Sequence, residues 1–484
     1  MPAKKIPLHY FDNTHQLKST VICLTLKFDD VLDADMLHES LIKLIKNDHW
    51  RKIGGQLRIG LQGRPVVHVF SLSEIQKGEP VVKFSKVHHD MSMADHPVAS
   101  KLHQSTYYPS AQPGVEQFRS LTGPNARPTS FEDYLSRYLP QIFLHIVTFS
   151  DGTLMSLTWP HTMSDISGWG HIFRAWSGVL AGKRWNAVPH LAGYDTDVLE
   201  YFGRTRLAER SLGAPIDRKF SSKVGTFARR VEHAVQTSQM KSRLLCLPRE
   251  TLDMLEEKTT HDMILNHGVT EMDVIKEYLV SIACAHMGSS DRNVVIHGSL
   301  DLRRHYPTLA MKPGVYIQNA TLPYVALVPL KTVAEDSFGQ TAVAIHRAYE
   351  LQRPVQQLIA IAQLLRTSNM CNELPVLGDK DGHHVYFAEW PNVRFHTAID
   401  FRPAVVPPPG EATTGNTPNR KGVGRPSYFH SDVLSKSALH DKDVFNLYGK
   451  DNEGNYWIGA VLHKKAMKNF DREFAVPEAG NGTN

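Results

Sequence analysis

Cysteine is scarce: Cys23, Cys246, Cys284 and Cys371 are the only four in 484 residues. They lie far apart and none pairs as C-x-x-C, so neither a disulfide framework nor a zinc site has support, and a reducing, cytoplasmic setting fits. No run of about eighteen apolar residues offers a membrane span. Behind the two lysines of MPAKKIPLHYFDN there is no apolar stretch, so the N-terminus does not read as a secretory signal, and the Asn481-Gly-Thr sequon then has no meaning. The charge excess is small: 54 basic against 49 acidic residues give +5. That is too little and too scattered for a nucleic-acid partner, although it does not oppose a small phosphorylated ligand. Three motifs are missing as well: the G-x-S-x-G elbow of a serine nucleophile, the G-x-x-x-x-G-K-[ST] phosphate loop, and a G-x-G-x-x-G after a strand. Their absence removes the usual sequence support for an acyl-enzyme hydrolase, a nucleotide hydrolase and a nicotinamide enzyme.

The composition, with 42% hydrophobic and 21% charged residues, suits a globular chain. Its length exceeds one ordinary core, so two lobes are expected. We place an N-terminal lobe at 1–190, a crossover at 191–240 with weak periodicity, and a C-terminal lobe at 241–484. VICLTLKF alternates as a strand, with Ile22, Leu24, Leu26 and Phe28 on one face. DADMLHESLIKLIKN puts Leu37, Leu41, Leu44 and Ile45 on one helical face, with Asp33 or Asp35 as N-cap. QIFLHIVTF and TLMSLTW, joined by Ser150-Asp151-Gly152, predict a hairpin. GHIFRAWSGVLAG and VTEMDVIKEYLVSIACAHMG read as helices, and NVVIHGSLDL as a strand. RPAVVPPPGEATTGNTPNRK, 402–421, has no periodicity and predicts an exposed insertion.

The hairpin runs straight into WPHTMSD. His161 therefore falls just past a buried strand, and Asp165 at or near the N-cap of the next helix. A histidine so placed can take a proton from a hydroxyl at neutral pH. An aspartate four residues on is better suited to turn inward, cap the helix and pair with an arginine. Alone, H-x-x-x-D is a weak pattern, compatible with an ordinary turn histidine. His88-His89-Asp90 with Asp95-His96, the stretch His261–His267 and Gly382-His383-His384 resemble metal clusters only in composition; nothing fixes a ligand geometry, and no metal is expected.

HTMSD resembles the H-x-x-x-D motif of the BAHD-type acyl-CoA-dependent acyltransferases, in the style of their fungal secondary-metabolism branch, and the resemblance runs nearly the whole length. IPLHYFDN is similar to the family's L-S-x-L-D segment, with Asp12 in the aspartate place. SLDLRRHY resembles its D-x-R stretch, with Asp301 and Arg303 in register. GVYIQNATLPY is similar to G-Y-F-G-N-A, with Asn319 in register. Of the second signature, D-F-G-W-G, HTAIDF supplies Asp400 and Phe401. Arg402 stands where glycine is usual, and GVGRPSYF resembles the displaced second half, with Val423 in the Trp place. YFAEWPN keeps Trp390 of the family's T-S-W but has Ala388 and Glu389 for the hydroxyl residues.

The resemblance implies an α/β fold of mixed sheets in two chloramphenicol-acetyltransferase-like lobes, with a central channel between them. Acyl-CoA, acetyl-CoA foremost, would be a co-substrate with no bound cofactor. The acceptor would be the hydroxyl of a small secondary metabolite. His161 would be the general base, with Asp165, Arg303 and Asp400 as structural support. Trp390 Nε1 or a backbone N–H near Gly168 would meet the oxyanion. Arg303, Arg420, Lys421 and Arg425 could meet CoA phosphates, Arg425 being favoured and Arg420 and Lys421 reading as solvated charges. Two other readings keep the fold: transfer from a carrier-protein thioester, and a catalytically silent binding protein. A monomer is the default expectation.

Overall fold

The computed structural model describes residues 2–204, 211–213, 240–258, 268–334, 339–370, 377–390, 393–407, 422–435 and 442–475. The stretch His261–His267, Cys371, Arg420, Lys421 and most of both the crossover and the Pro/Gly-rich stretch lie outside the described residues.

The fold is mixed α/β, built on two large sheets. The first has five strands in the order Tyr428–Val433, Val21–Phe28, Thr153–Pro160, Phe143–Thr148 and Lys83–His88. All neighbours are antiparallel except the last pair. Every residue of Thr153–Pro160 is buried, because this strand is the middle of the sheet and is covered on both faces. Phe149 N–H donates to the Gly152 carbonyl at 2.9 Å, closing the predicted hairpin. Helices Ala34–Lys46 and Ile166–Leu180 pack together over this sheet. The Trp176 indole N–H donates to Ser40 Oγ at 2.8 Å between them, and Asp33 caps the first helix through the amides of Asp35 and Met36.

The second sheet has seven strands: Thr321–Pro329, Asn293–Asp301, His383–Glu389, Asp443–Lys450, Tyr456–His463, Met240–Leu247 and Ser110–Pro113. Helix Glu271–Cys284 covers it, with a Thr270/Asp273 capping box at its start. The two sheets trade strands. Tyr428–Val433 leaves the C-terminal half to join the first sheet, and Ser110–Pro113 leaves the N-terminal half to join the second. A cut at 191–240 therefore divides the sequence but not the sheets.

The described part of the crossover is packed rather than solvated. Leu191, Ala192, Leu199 and Phe202 are buried, and the Arg366 guanidinium bonds to the carbonyls of Leu199, Glu200 and Phe202. The start of the 402–421 stretch also departs from the exposed insertion expected. Arg402–Ala404 forms a 3-10 turn, Ala404 is buried, and its carbonyl accepts from Asp33 N–H at 2.7 Å. This segment is held against the entry to helix Ala34–Lys46, so any insertion begins after it.

Candidate active site

His161 follows the last residue of strand Thr153–Pro160. Its backbone is held from two sides. Its N–H donates to the Thr20 carbonyl at 2.9 Å, and its own carbonyl accepts from Asn319 Nδ2 at 2.9 Å. The Asn319 side-chain and backbone N–H groups also donate to Asp12 Oδ1, at 2.7 and 2.9 Å. The aspartate and asparagine picked out by pattern, 307 residues apart, thus form one clamp on the histidine's main chain. Burial pushes the Asp12 carboxyl up and the nearby Lys52 ammonium down.

The imidazole lies on the wall of a cavity of about 720 Å³ between the two sheets. Its Nδ1 is enclosed with no partner in good hydrogen-bond geometry, which leaves Nε2 as the nitrogen toward the cavity. Burial lowers its pKa below the ordinary imidazole value, and its own carbonyl and the Asp165 charge oppose that only partly. A neutral ring at physiological pH can accept a proton.

Asp165 turns away from the ring's task. Its Oδ1 accepts from Gly168 N–H at 2.9 Å and Arg303 Nη2 at 2.8 Å. Its Oδ2 accepts from Ala320 N–H at 3.0 Å. It caps helix Ile166–Leu180 and ties that helix to the second sheet. Four of the five guanidinium N–H groups of Arg303 are taken: Nε donates to the Tyr316 carbonyl, Nη1 to Asp301 Oδ1, and Nη2 to the Gln318 carbonyl as well as to Asp165. Arg303 does not line the cavity, and its guanidinium serves this tie between the lobes.

Gly168 also needs correcting as an oxyanion donor, because its N–H is spent on Asp165. Its side-chain hydrogen has a different reason: a Cβ there would overlap the Ile317 carbonyl oxygen and Ser164 Oγ. Ser164 Oγ donates to that same carbonyl at 2.6 Å, so the first turn of the helix docks directly on the other lobe. The residues before it, Ile166 and Ser167, line the cavity instead. Trp390 lines it too, wedged edge-on against Tyr448 at 5.0 Å.

Asp400 lies away from the cavity wall. It pairs with Arg402 through Nε at 2.9 Å and Nη2 at 2.7 Å, and its N–H donates to Ser177 Oγ at 3.0 Å. Phe401 N–H donates to the Gly424 carbonyl at 2.7 Å, so the two halves of the interrupted signature meet. Gly424 has φ +65° and a Cβ on it would overlap the Arg402 backbone. Arg425 Nη1 bonds to the His396 carbonyl at 3.0 Å and Nη2 reaches Asp400 at 3.4 Å. It does not line the cavity and braces this turn.

Among the described residues no group of three or more His, Cys, Asp or Glu could hold a metal ion, and no helix is long and apolar enough to cross a membrane. His88 bonds to Thr148 and Asp90, and His384 to His297 and the Asp379 carbonyl. Cys23, Cys246 and Cys284 are free and buried. Pattern reading missed Thr20 and Ser164, which act through a main-chain contact and one short hydroxyl bond and leave no periodic trace. It also missed Lys276, although a lysine inside a helix apolar on most sides was a readable signal.

A profile described as the Transferase family matches residues 128–402. The chain belongs to this BAHD-type transferase family. It is 30% identical over 481 residues to O-acetyltransferase PaAT-2 of Phomopsis amygdali, covering 94% of each chain. It is 28% identical to acetyltransferase adrJ of Penicillium roqueforti, covering 97% of this chain and 95% of that one. Among solved structures, TRI101 of F. sporotrichioides, complexed with coenzyme A and T-2, matches with a TM-score of 0.65 at 12% identity, covering 97% of this chain and 98% of that one. That likeness establishes the BAHD fold, and the relatives establish a transferase.

Proposed function

We propose that this transferase moves an acyl group, acetyl foremost, from acyl-CoA to a hydroxyl of a small secondary metabolite, with His161 as general base and no acyl-enzyme. The observation that carries the reading is a histidine whose backbone is clamped on both sides, whose Nδ1 is enclosed and whose ring lines a large interlobe cavity. The relatives named acetyltransferases support acetyl, and the coenzyme A and T-2 held by TRI101 support a CoA donor and a metabolite acceptor.

His161 Nε2 takes the acceptor hydroxyl proton as that oxygen bonds to the thioester carbonyl carbon. The carbonyl oxygen becomes an oxyanion. The C–S bond then breaks, and the imidazolium returns its proton to the departing thiolate. Holding both substrates in one cavity supplies the orientation that a bimolecular step lacks. For the oxyanion we assign the first-turn amides of Ile166 and Ser167 and the Trp390 indole, all in residues that line the cavity; each such donor is worth on the order of 10²–10³-fold in rate. Free, buried cysteines among the described residues and a nearly even count of charges in the sequence support a monomer working in the cytoplasm.

Mass spectrometry tests this. With acetyl-CoA and a panel of hydroxylated metabolites, an ester product forms while the intact protein gains no acetyl mass. A persistent acetylated protein contradicts the direct transfer. Product from a carrier-bound thioester alone replaces the donor.

A further inference from the structure

The cavity wall carries an ion pair that the transfer steps do not use. Lys276, 2% exposed, donates from Nζ to Glu389 Oε1 at 2.8 Å and to the Tyr324 hydroxyl at 2.9 Å. The backbone N–H of Ser299 donates to the same Glu389 oxygen at 3.1 Å. Among the described residues none donates to Glu389 Oε2, which is not one of the enclosed polar atoms that lack partners; Glu389 lines the cavity, so this oxygen opens on it. Gly298 makes the arrangement feasible: a Cβ there would overlap the Tyr324 ring. Ser299 lies two residues before Asp301 on one face of strand Asn293–Asp301, so this wall continues into the Arg303–Asp165 tie beside His161.

Burial alone would lower the Lys276 pKa, but the Glu389 charge and Tyr324 raise it above the ordinary lysine value. Lys276 therefore keeps its charge, 2.8 Å from the carboxyl oxygen it neutralises. A neutralised carboxylate with one oxygen free does not call for a cation. It calls for a neutral hydrogen-bond donor, since a carboxylate is acceptor-only. The wall is mixed: Phe11, Ile22, Met272, Leu322 and Pro323 give it apolar surface, while Asp273, Arg304, His305 and His346 add polar groups of both signs. We propose that Glu389, held by Lys276, is an acceptor-recognition site for a second hydroxyl, so that the metabolite acylated here is a neutral, apolar-skeleton molecule with at least two hydroxyl groups. This rests on the transferase reading for which hydroxyl reacts, but not for which one binds Glu389.

The test swaps the sense of the hydrogen bond. Rigid fused-ring diols and their matching hydroxy-ketones differ in one group, which donates in the first and can only accept in the second. Affinities are measured by calorimetry in the His161→Ala protein, where recognition is read without turnover, with and without Glu389→Gln. Charge-assisted bonds are the stronger ones, so with Glu389 in place the preferred diol binds about tenfold or more tightly than its hydroxy-ketone. With Glu389→Gln an amide donor faces the cavity, and the preference falls to within about threefold or reverses. Because Glu389→Gln leaves Lys276 without a counter-charge, the double variant Lys276→Met/Glu389→Leu removes the pair together; it binds the two compounds alike. Equal affinities with Glu389 in place, no binding of any diol, or a preference unchanged in both variants overturns the proposal. Failure of the transferase reading shows separately, as absence of ester product in the wild-type protein.

Discussion

At the scale of single residues, the two members of HTMSD carry different burdens. Asp165 and Arg303 form a nearly enclosed pair, 8% and 11% exposed in their side chains. Removing one partner strands the other, which costs about 3–5 kcal/mol. Asp165→Ala should therefore lower the thermal midpoint sharply, as scanning calorimetry would show; a stability change within about 0.5 kcal/mol would mean the pair is not structural. His161 makes the complementary prediction through pH. Its pKa is lowered by burial, so the base-competent neutral form persists below the ordinary imidazole value of 6.5. The pH profile of kcat/KM should stay flat as pH falls through that value and drop only at lower pH. An inflection at or above it would reject the buried, neutral base. The sequence made His161 and Asp165 visible because both belong to one short motif. The cap expected of Asp165 already accounts for the Gly168 N–H three residues on; the sequence could not show that Arg303 also bonds to the Tyr316 and Gln318 carbonyls, since that depends on how their segment folds back on it.

At the scale of elements, docking of the motif helix depends on a missing side chain. Gly168→Ala would drive a methyl into the Ile317 carbonyl, so the helix must shift or the lobes part. The expected result is a loss of about 1–3 kcal/mol from overpacking together with a fall in kcat, measured by urea denaturation and steady-state kinetics. Unchanged kcat in a stable variant would show that the first turn tolerates displacement. Elements with a strong period were legible with their ends nearly in place: Val21–Phe28, the hairpin, Ala34–Lys46 and Glu271–Cys284. Their apolar faces are set by local spacing. The turn Arg402–Ala404 was not legible, because its order comes from the Asp33–Ala404 bond and the Phe401–Gly424 bond rather than from any pattern of its own. The strands Ser110–Pro113 and Tyr428–Val433 likewise take their places from partners in the opposite half of the chain.

At the scale of the whole molecule, histidine sets the acid limit. His103, His145 and His297 are buried, and burial brings them from 6.5 to about 4, 4 and 3. In the unfolded chain they protonate near 6.5, while in the folded protein they stay neutral. The unfolded state therefore binds more protons in this window, and stability is whole above pH 6.5 and lost as pH falls from there toward 4. Each group contributes up to about 1.4 kcal/mol per pH unit. Denaturant midpoints should begin to fall below pH 6.5, before carboxylates titrate; midpoints constant down to pH 5 would contradict the buried neutral state. The two-lobe architecture itself followed from length and family resemblance, whereas the strand exchange that welds the lobes is a property of the sheets alone. The central claim, that the His161 imidazole in the interlobe cavity is the general base of the transfer, is tested most directly by thiol release. Acetyl-CoA and a hydroxylated acceptor are given to the wild-type protein and to His161→Ala, with coenzyme A binding measured in both. The account predicts retained binding and a rate reduced on the order of 10²–10⁴-fold; thiol release by His161→Ala at the wild-type rate would contradict it.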